Sequence, residues 1–275
     1  LDKKTETGAT PVWFGDYWRA LRPLHWARSA LVLVPLISSG SFLEPRAVTR
    51  GALAFAAFAL LSSAVYLIND IADRREDRVH PRKRLRPVAA GIIGVSTAAW
   101  LASLLAAAAF LIAVALRSAA VPAVFAAYAV ANVAYSWGGK RVVLLDVFLV
   151  TAGFLLRVLA GAYAIAVYVS PWLFVVTLFL SLAISLVKRR AEEVSLAGDA
   201  AQHRAVLGQY SLLLLDQLIS VTTAAGVLSY ALYTFHSPHS DYLMLTLPFF
   251  IYASFRYLYV AYQKGMGESP EEIFL

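Results

Sequence analysis

Residues 48–77 read VTRGALAFAAFALLSSAVYLINDIADRRED. From Gly51 to Ile68 the stretch carries no charge. A helix needs roughly 20 apolar residues to cross a bilayer, and this run supplies that length. It ends abruptly at Asn69-Asp70-Ile-Ala-Asp73-Arg-Arg-Glu76-Asp77. A membrane helix that runs straight into a carboxylate-rich segment is therefore expected, with the acids at the membrane boundary.

The rest of the chain agrees. Of its 275 residues 60% are hydrophobic and 15% charged, and its mean hydropathy is +0.67. A soluble globular chain is about 45–50% apolar and about 25% charged, so a soluble enzyme, a disordered chain and a fibrous repeat are excluded. There are no cysteines, which excludes disulfides, thiolate metal sites and cysteine nucleophiles. Besides 48–69, apolar stretches at 28–43, 92–116, 119–137, 142–168, 171–187, 211–235 and 243–262 are long enough to be spans, giving eight. The expected fold is all-α, a polytopic transmembrane helical bundle. Residues 1–27 read as an N-terminal interfacial amphipathic segment, because Trp18 and Trp26 alternate with Asp16, Arg19 and Arg22. Residues 28–275 read as one catalytic domain.

Basic residues orient the bundle. They crowd before the first span, between spans two and three, four and five, and six and seven, and are sparse in the opposite loops. By the positive-inside rule these basic loops are cytoplasmic. The net charge of +7 then serves lipid headgroups or phosphorylated substrates. A nucleic-acid partner is not expected.

The acidic segment carries the chemistry. Asn69, Asp73 and Asp77 follow i, i+4, i+8 spacing, which stacks them on one side of a helix, with Asp70 within about a turn. Hard oxygen ligands of this kind suit Mg²⁺, which takes its remaining ligands from water and substrate phosphates. Immediately after them comes His80-Pro-Arg82-Lys83-Arg84-Leu-Arg86, where Lys83, Arg84 and Arg86 can grip phosphate oxygens. Tyr135, Lys140 and Arg141 follow span four, where positive-inside anchoring explains the cations equally well. Asp146 and Arg157 lie eleven residues apart, about three turns on one helix face. Intramembrane charges usually face a bundle interior or an aqueous cavity, and a salt bridge to another helix stays open for this pair. The end of span six reads Lys188-Arg189-Arg190-Ala-Glu192, with Glu192 four residues from Lys188 on the same face.

The pattern NDxxDxxxD at Asn69, Asp70, Asp73 and Asp77 resembles the first aspartate-rich motif of the UbiA superfamily of intramembrane prenyltransferases, and the resemblance extends along nearly the whole chain. It implies a UbiA-like bundle with a polar cavity at the cytoplasmic side. The family usually has nine spans, so a ninth is expected to be missing here. Aromatic prenyltransferases of the superfamily carry a second acidic motif, DxxxD, where this chain has Lys188, Arg189 and Arg190. One acidic wall facing one basic wall fits a donor with two separate phosphate groups. The set is similar to the decaprenyl-phosphate phosphoribosyltransferase branch.

That resemblance implies transfer of 5-phosphoribose from phosphoribosyl pyrophosphate to polyprenyl phosphate, in the service of cell-wall arabinan synthesis. The expected cofactor is Mg²⁺, held by Asn69, Asp73 and Asp77 with Asp70 in support. Lys83, Arg84, Arg86, Lys188 and Arg189 are candidates for the donor phosphates. Tyr135, Lys140, Asp146 and Arg157 are candidates for the ribose region, and Arg22 and Arg28 for the acceptor phosphate. Glu192 is expected to orient Lys188. The enzyme is expected in the plasma membrane with its active site facing the cytoplasm, and a second copy of the chain is a candidate partner. An aromatic prenyltransferase using a prenyl diphosphate, and a transporter of an anionic solute, are the competing readings.

Overall fold

The computed structural model describes residues 14–79, 83–195, 209–237, 240–265 and 267. His80, Arg82 and the segment beyond 267 lie outside them. Among the described residues all regular structure is helical. The α-helices are α1 (Phe14–Leu21), α2 (Val34–Ser38), α3 (Pro45–Ala72), α4 (Arg74–Val79), α5 (Val95–Ala115), α6 (Ala120–Trp137), α7 (Leu145–Ile165), α8 (Pro171–Ser195), α9 (Leu212–Phe235), α10 (Ser240–Met244) and α11 (Leu247–Gln263). Proline stands in the first turn of α3 and α11, where its missing N–H is no loss and its fixed φ favours the helix.

Seven helical segments among the described residues are long and apolar enough to cross a membrane: α3, α5 to α9, and Tyr242–Gln263. Their outward faces are apolar. Trp100, Leu104 and Leu111 on α5 and Phe249, Tyr252 and Phe255 on α11 are all exposed. In a bilayer those side chains meet acyl chains, and the helices satisfy their own backbone groups. Inside, α3 packs on α5 and α7, α6 packs on α7, and α8 packs on both α7 and α9. One core cluster gathers Phe58, Leu61, Phe125 and Tyr128 between α3 and α6. A second gathers Val147, Leu186, Leu215 and Ile219 between α7, α8 and α9.

The predicted first span is built differently. Residues 28–43 do not form one helix. Arg22 has a left-handed backbone (φ 53°) that ends α1, and a 3-10 helix then runs from Pro23 to Leu33 before the short α2. Two prolines explain the change, since Pro23 and Pro35 each remove a donor that a continuous α-helix would use. Within the amphipathic segment expected over residues 1–27, the helix α1 accordingly stops at Leu21.

The 3-10 segment packs into the bundle against α3 and α7. The contact is so close that a Cβ on Gly161 of α7 would lie 1.8 Å from the Val32 carbonyl oxygen. Small residues that allow such backbone approach are what association inside a membrane depends on. At the bundle end remote from the acids, Arg50 donates to the carbonyls of Ala164 and Leu116 at 2.5 and 2.6 Å. A cation there also complements the C-terminal dipoles of α7 and α5.

Gly161→Ala is expected to cost about 3 kcal/mol, the upper end of ordinary overpacking. Gly94→Ala, whose Cβ would meet nothing nearer than 3.9 Å, should be close to neutral. Thermal unfolding of the two variants in the same detergent separates them.

Candidate functional site

The acidic segment sits where α3 ends. Asp73 leaves the helical conformation (ψ 5°), and the chain resumes as α4. Backbone bonds still connect the turns, with Asp73 N donating to Asn69 O and Asp77 N to Asp73 O, both at 2.8 Å. The break rotates Asp77 away from the expected row. Instead of one face holding Asn69, Asp73 and Asp77, the structure forms two pairs.

Asn69 and Asp73 face the end of α6. The Ser136 hydroxyl donates to Asn69 Oδ1 at 2.8 Å, and Lys140 Nζ donates to Asp73 Oδ1 at 2.8 Å. Gly139 permits this turn, since a Cβ there would sit 2.3 Å from Leu149. Asp70 and Asp77 turn the other way and are buried. Arg86 bridges them, reaching Asp70 at 3.2 Å and Asp77 at 2.6 Å, and Arg22 donates to Asp70 as well. The basic loop thus folds back over the acids, helped by a bond from Arg78 Nε to the Ala89 carbonyl. Arg22 also lies over the Tyr66 ring, which packs against His25. Lys83 and Arg84 are exposed, and Arg28 is half-buried.

The basic end of α8 divides its side chains. Arg189 turns inward, 3% exposed. Its Nε donates to Asp146 Oδ2 at 2.7 Å, and its Nη1 donates to Glu192. Tyr210, just before α9, donates to Asp146 Oδ1 at 2.8 Å and accepts from the Leu144 N–H at 2.7 Å. Burial above all, reinforced by the bond to Asp146, pushes the Tyr210 hydroxyl up to about 12, so it remains a donor across the physiological range. Arg190 points elsewhere, to Asp216 at 2.6 Å and over the Tyr262 ring. Lys188 is half-buried on the same turn.

The end of α6 joins the two walls. Ser136 touches Asn69, while its neighbour Tyr135 lies within electrostatic range of Arg189. Acids and cations therefore meet at one end of the bundle, as expected. Two expected substrate contacts do not. Asp146 is fully buried, with both oxygens taken by Arg189 and Tyr210. Arg157 lies about three turns further along α7, 5% exposed. It donates to the Gly153 carbonyl and the Tyr128 hydroxyl at 2.7 and 3.0 Å, and its guanidinium lies near the Phe58, Tyr128 and Phe154 rings. Cation–π contact and hydrogen bonds there offset part of the cost of a buried charge. It ties α3, α6 and α7 together from within the core.

Sequence reasoning missed Tyr210. A single tyrosine before an apolar run carries no distinguishing pattern, and its significance comes only from the partner it reaches.

Among the described residues no three His, Asp or Glu side chains converge on one point. Mg²⁺ does not require that, because one or two protein oxygens with waters and phosphates complete its shell. Asp73 fits such a role. Its carboxylate is one-third exposed, and Oδ2 has no described partner while Oδ1 meets Lys140. The Asn69 amide oxygen stands on the adjoining turn. Asp70 and Asp77 are already neutralised by guanidinium groups.

A profile of the UbiA prenyltransferase family matches residues 29–272. Decaprenyl-phosphate phosphoribosyltransferase of Corynebacterium glutamicum is 35% identical over 94% of this chain and 80% of that protein. The protein of the same description from Mycolicibacterium smegmatis is also 35% identical, over 94% of this chain and 85% of its own length. A UbiA homologue from Archaeoglobus fulgidus, solved bound to GPP and Mg²⁺, superimposes with a TM-score of 0.74 at 19% identity, covering 89% of this chain and 86% of that one. At that identity the match speaks for the fold.

Asp70→Asn strands two arginines around a buried amide and is expected to cost about 3 kcal/mol. Asp73→Asn, at a partly exposed pair, should cost under about 1 kcal/mol. Denaturation midpoints of the two purified variants test the difference.

Proposed function

The chain belongs to the UbiA prenyltransferase family, and within it we propose that this multi-pass membrane enzyme is a polyprenyl-phosphate phosphoribosyltransferase. It moves 5-phosphoribose from phosphoribosyl pyrophosphate to polyprenyl phosphate and releases pyrophosphate. The observation that carries this reading over prenyl transfer is the cationic end of α8. Where a second acidic motif would hold another metal, this chain has Arg189, held by Asp146 and Glu192, with Lys188 beside it. The names of the relatives from C. glutamicum and M. smegmatis support the same choice.

Asn69 and Asp73 would hold Mg²⁺ against the pyrophosphate group, where it supplies charge neutralisation of the leaving group. Lys140, now on Asp73, stands ready to meet a phosphate oxygen. Arg189 and Lys188 hold the phosphate that stays on the ribose. Arg22 and Arg28, on the segment leading into the bundle, receive the acceptor headgroup. The lipid phosphate is already an anion at neutral pH, so it attacks ribose C1 without a strong base. It approaches opposite the departing pyrophosphate and inverts the anomeric centre. The transition state has oxocarbenium character, as in other glycosyl displacements. Most of the rate enhancement then comes from positioning the two phosphate-bearing reactants.

The acidic end faces the cytoplasm, where a soluble phosphorylated sugar is available, and the product enters cell-wall arabinan synthesis. A transporter would place its charged groups near mid-membrane. Here the buried mid-bundle cation Arg157 is enclosed by aromatic rings and hydroxyls.

Purified protein given labelled phosphoribosyl pyrophosphate, polyprenyl phosphate and Mg²⁺ should form a labelled lipid. Prenylation of an aromatic acid without formation of that lipid would reverse the reading. Asp73→Asn should lower turnover about 100-fold, equivalent to ~3 kcal/mol of lost leaving-group stabilisation, while the variant still melts cooperatively.

A further inference from the structure

Arg189 is held with unusual completeness for a long cationic side chain. Nε is committed to Asp146 and Nη1 to Glu192. Nη2 has no hydrogen-bond partner among the described residues. Two anchored nitrogens fix a planar guanidinium, so the direction of its remaining N–H pair is fixed too. The anchor itself is anchored. Asp146 Oδ1 accepts from Tyr210, and the same hydroxyl accepts from the Leu144 N–H. Leu144 has a positive φ, 66°, which costs free energy for a leucine and persists only where surrounding contacts hold it. Tyr210 therefore secures both the backbone at the start of α7 and the carboxylate in its first turn. All three members of the chain from Tyr210 through Asp146 to Arg189 are buried.

A buried Asp–Arg pair contributes little net stability compared with apolar packing. Its value here lies in direction. The geometry points to Tyr210 as a positioning residue for the ribose-borne phosphate of the donor, acting through Asp146 on Arg189. This rests on the donor assigned above and adds two residues that never touch substrate. It makes Arg189 a prealigned fork for a phosphate monoester, distinct from the Asn69–Asp73 side that meets pyrophosphate. A donor with only a diphosphate has nothing to place in that fork, so the same three residues set donor specificity.

The test is a double-variant cycle in the full-length chain, solubilised with Mg²⁺ and polyprenyl phosphate. Tyr210→Phe should raise the KM for phosphoribosyl pyrophosphate about tenfold, the loss of one charge-assisted hydrogen bond, with kcat within threefold. Inhibition by inorganic pyrophosphate, which lacks the ribose-borne phosphate monoester, should stay within twofold. Arg189→Lys should show the same split. The double variant should be no worse than Arg189→Lys alone, because both changes disable one fork. Unchanged donor KM, an equal loss of pyrophosphate inhibition, or additive effects would each overturn the inference. Asp146→Asn carries the same cycle if Tyr210→Phe does not fold, and additivity with Arg189→Lys would be equally decisive. A wild-type chain that makes no labelled lipid removes the donor assignment and this inference together. A wild type that does, with Tyr210→Phe unaltered, removes the inference alone.

Discussion

Carboxylates at the edge of an apolar bundle must find cations, and that requirement shapes one whole end of this molecule. Desolvated charges cost several kcal/mol each unless they are paired and hydrogen-bonded. Arg22 and Arg86 close on Asp70, Arg86 reaches on to Asp77, and Lys140 reaches Asp73. Those contacts draw in the segment before the first span, the loop after α4 and the end of α6. With the acidic segment itself, four separate stretches of chain thereby converge on one place. The pairing also separates duties. Asp70 and Asp77 are engaged with guanidinium groups that hold the loop, while the Asp73 side chain stays partly exposed beside Lys140.

A second tier lies behind that layer. Asp146, Arg189, Glu192 and Tyr210 form a connected set whose polar atoms are largely spent on each other. Such networks fix orientation more than they add stability. Arg157 shows the same economy deeper in the bundle, using a carbonyl, a hydroxyl and ring faces, with no carboxylate paired to it among the described residues. Cations of one chain thus serve in different ways: Arg22 and Arg86 fold the loop over the acids, Arg189 is held by buried acids, and Arg157 holds three helices together.

Much of this was legible beforehand. The length and uniformity of the apolar runs identified the long helices, because a bilayer sets a length requirement that composition alone can meet. The acidic segment was legible because carboxylates interrupt such a run only at a cost. The first span was misread where two prolines outweigh hydropathy. The i, i+4, i+8 row was misread because the spacing assumes one continuous helix, and the backbone departs from it at Asp73. Asp146 was assigned to substrate because a charged residue in a span suggests a site. Its burial between Arg189 and Tyr210 depends on residues 43 and 64 positions away.

From the amino-acid order alone came the membrane class, the family, and the crowding of acids and cations at one end. These follow from local properties: how much apolar length stands uninterrupted, and which side chains follow it. Tertiary structure decided which carboxylate faces which cation, which arginine aims inward, and that Gly161 must lack a side chain. Those outcomes are set by contacts between distant helices, where tenths of an ångström and the lack of water determine the energy, and no spacing along the chain encodes them.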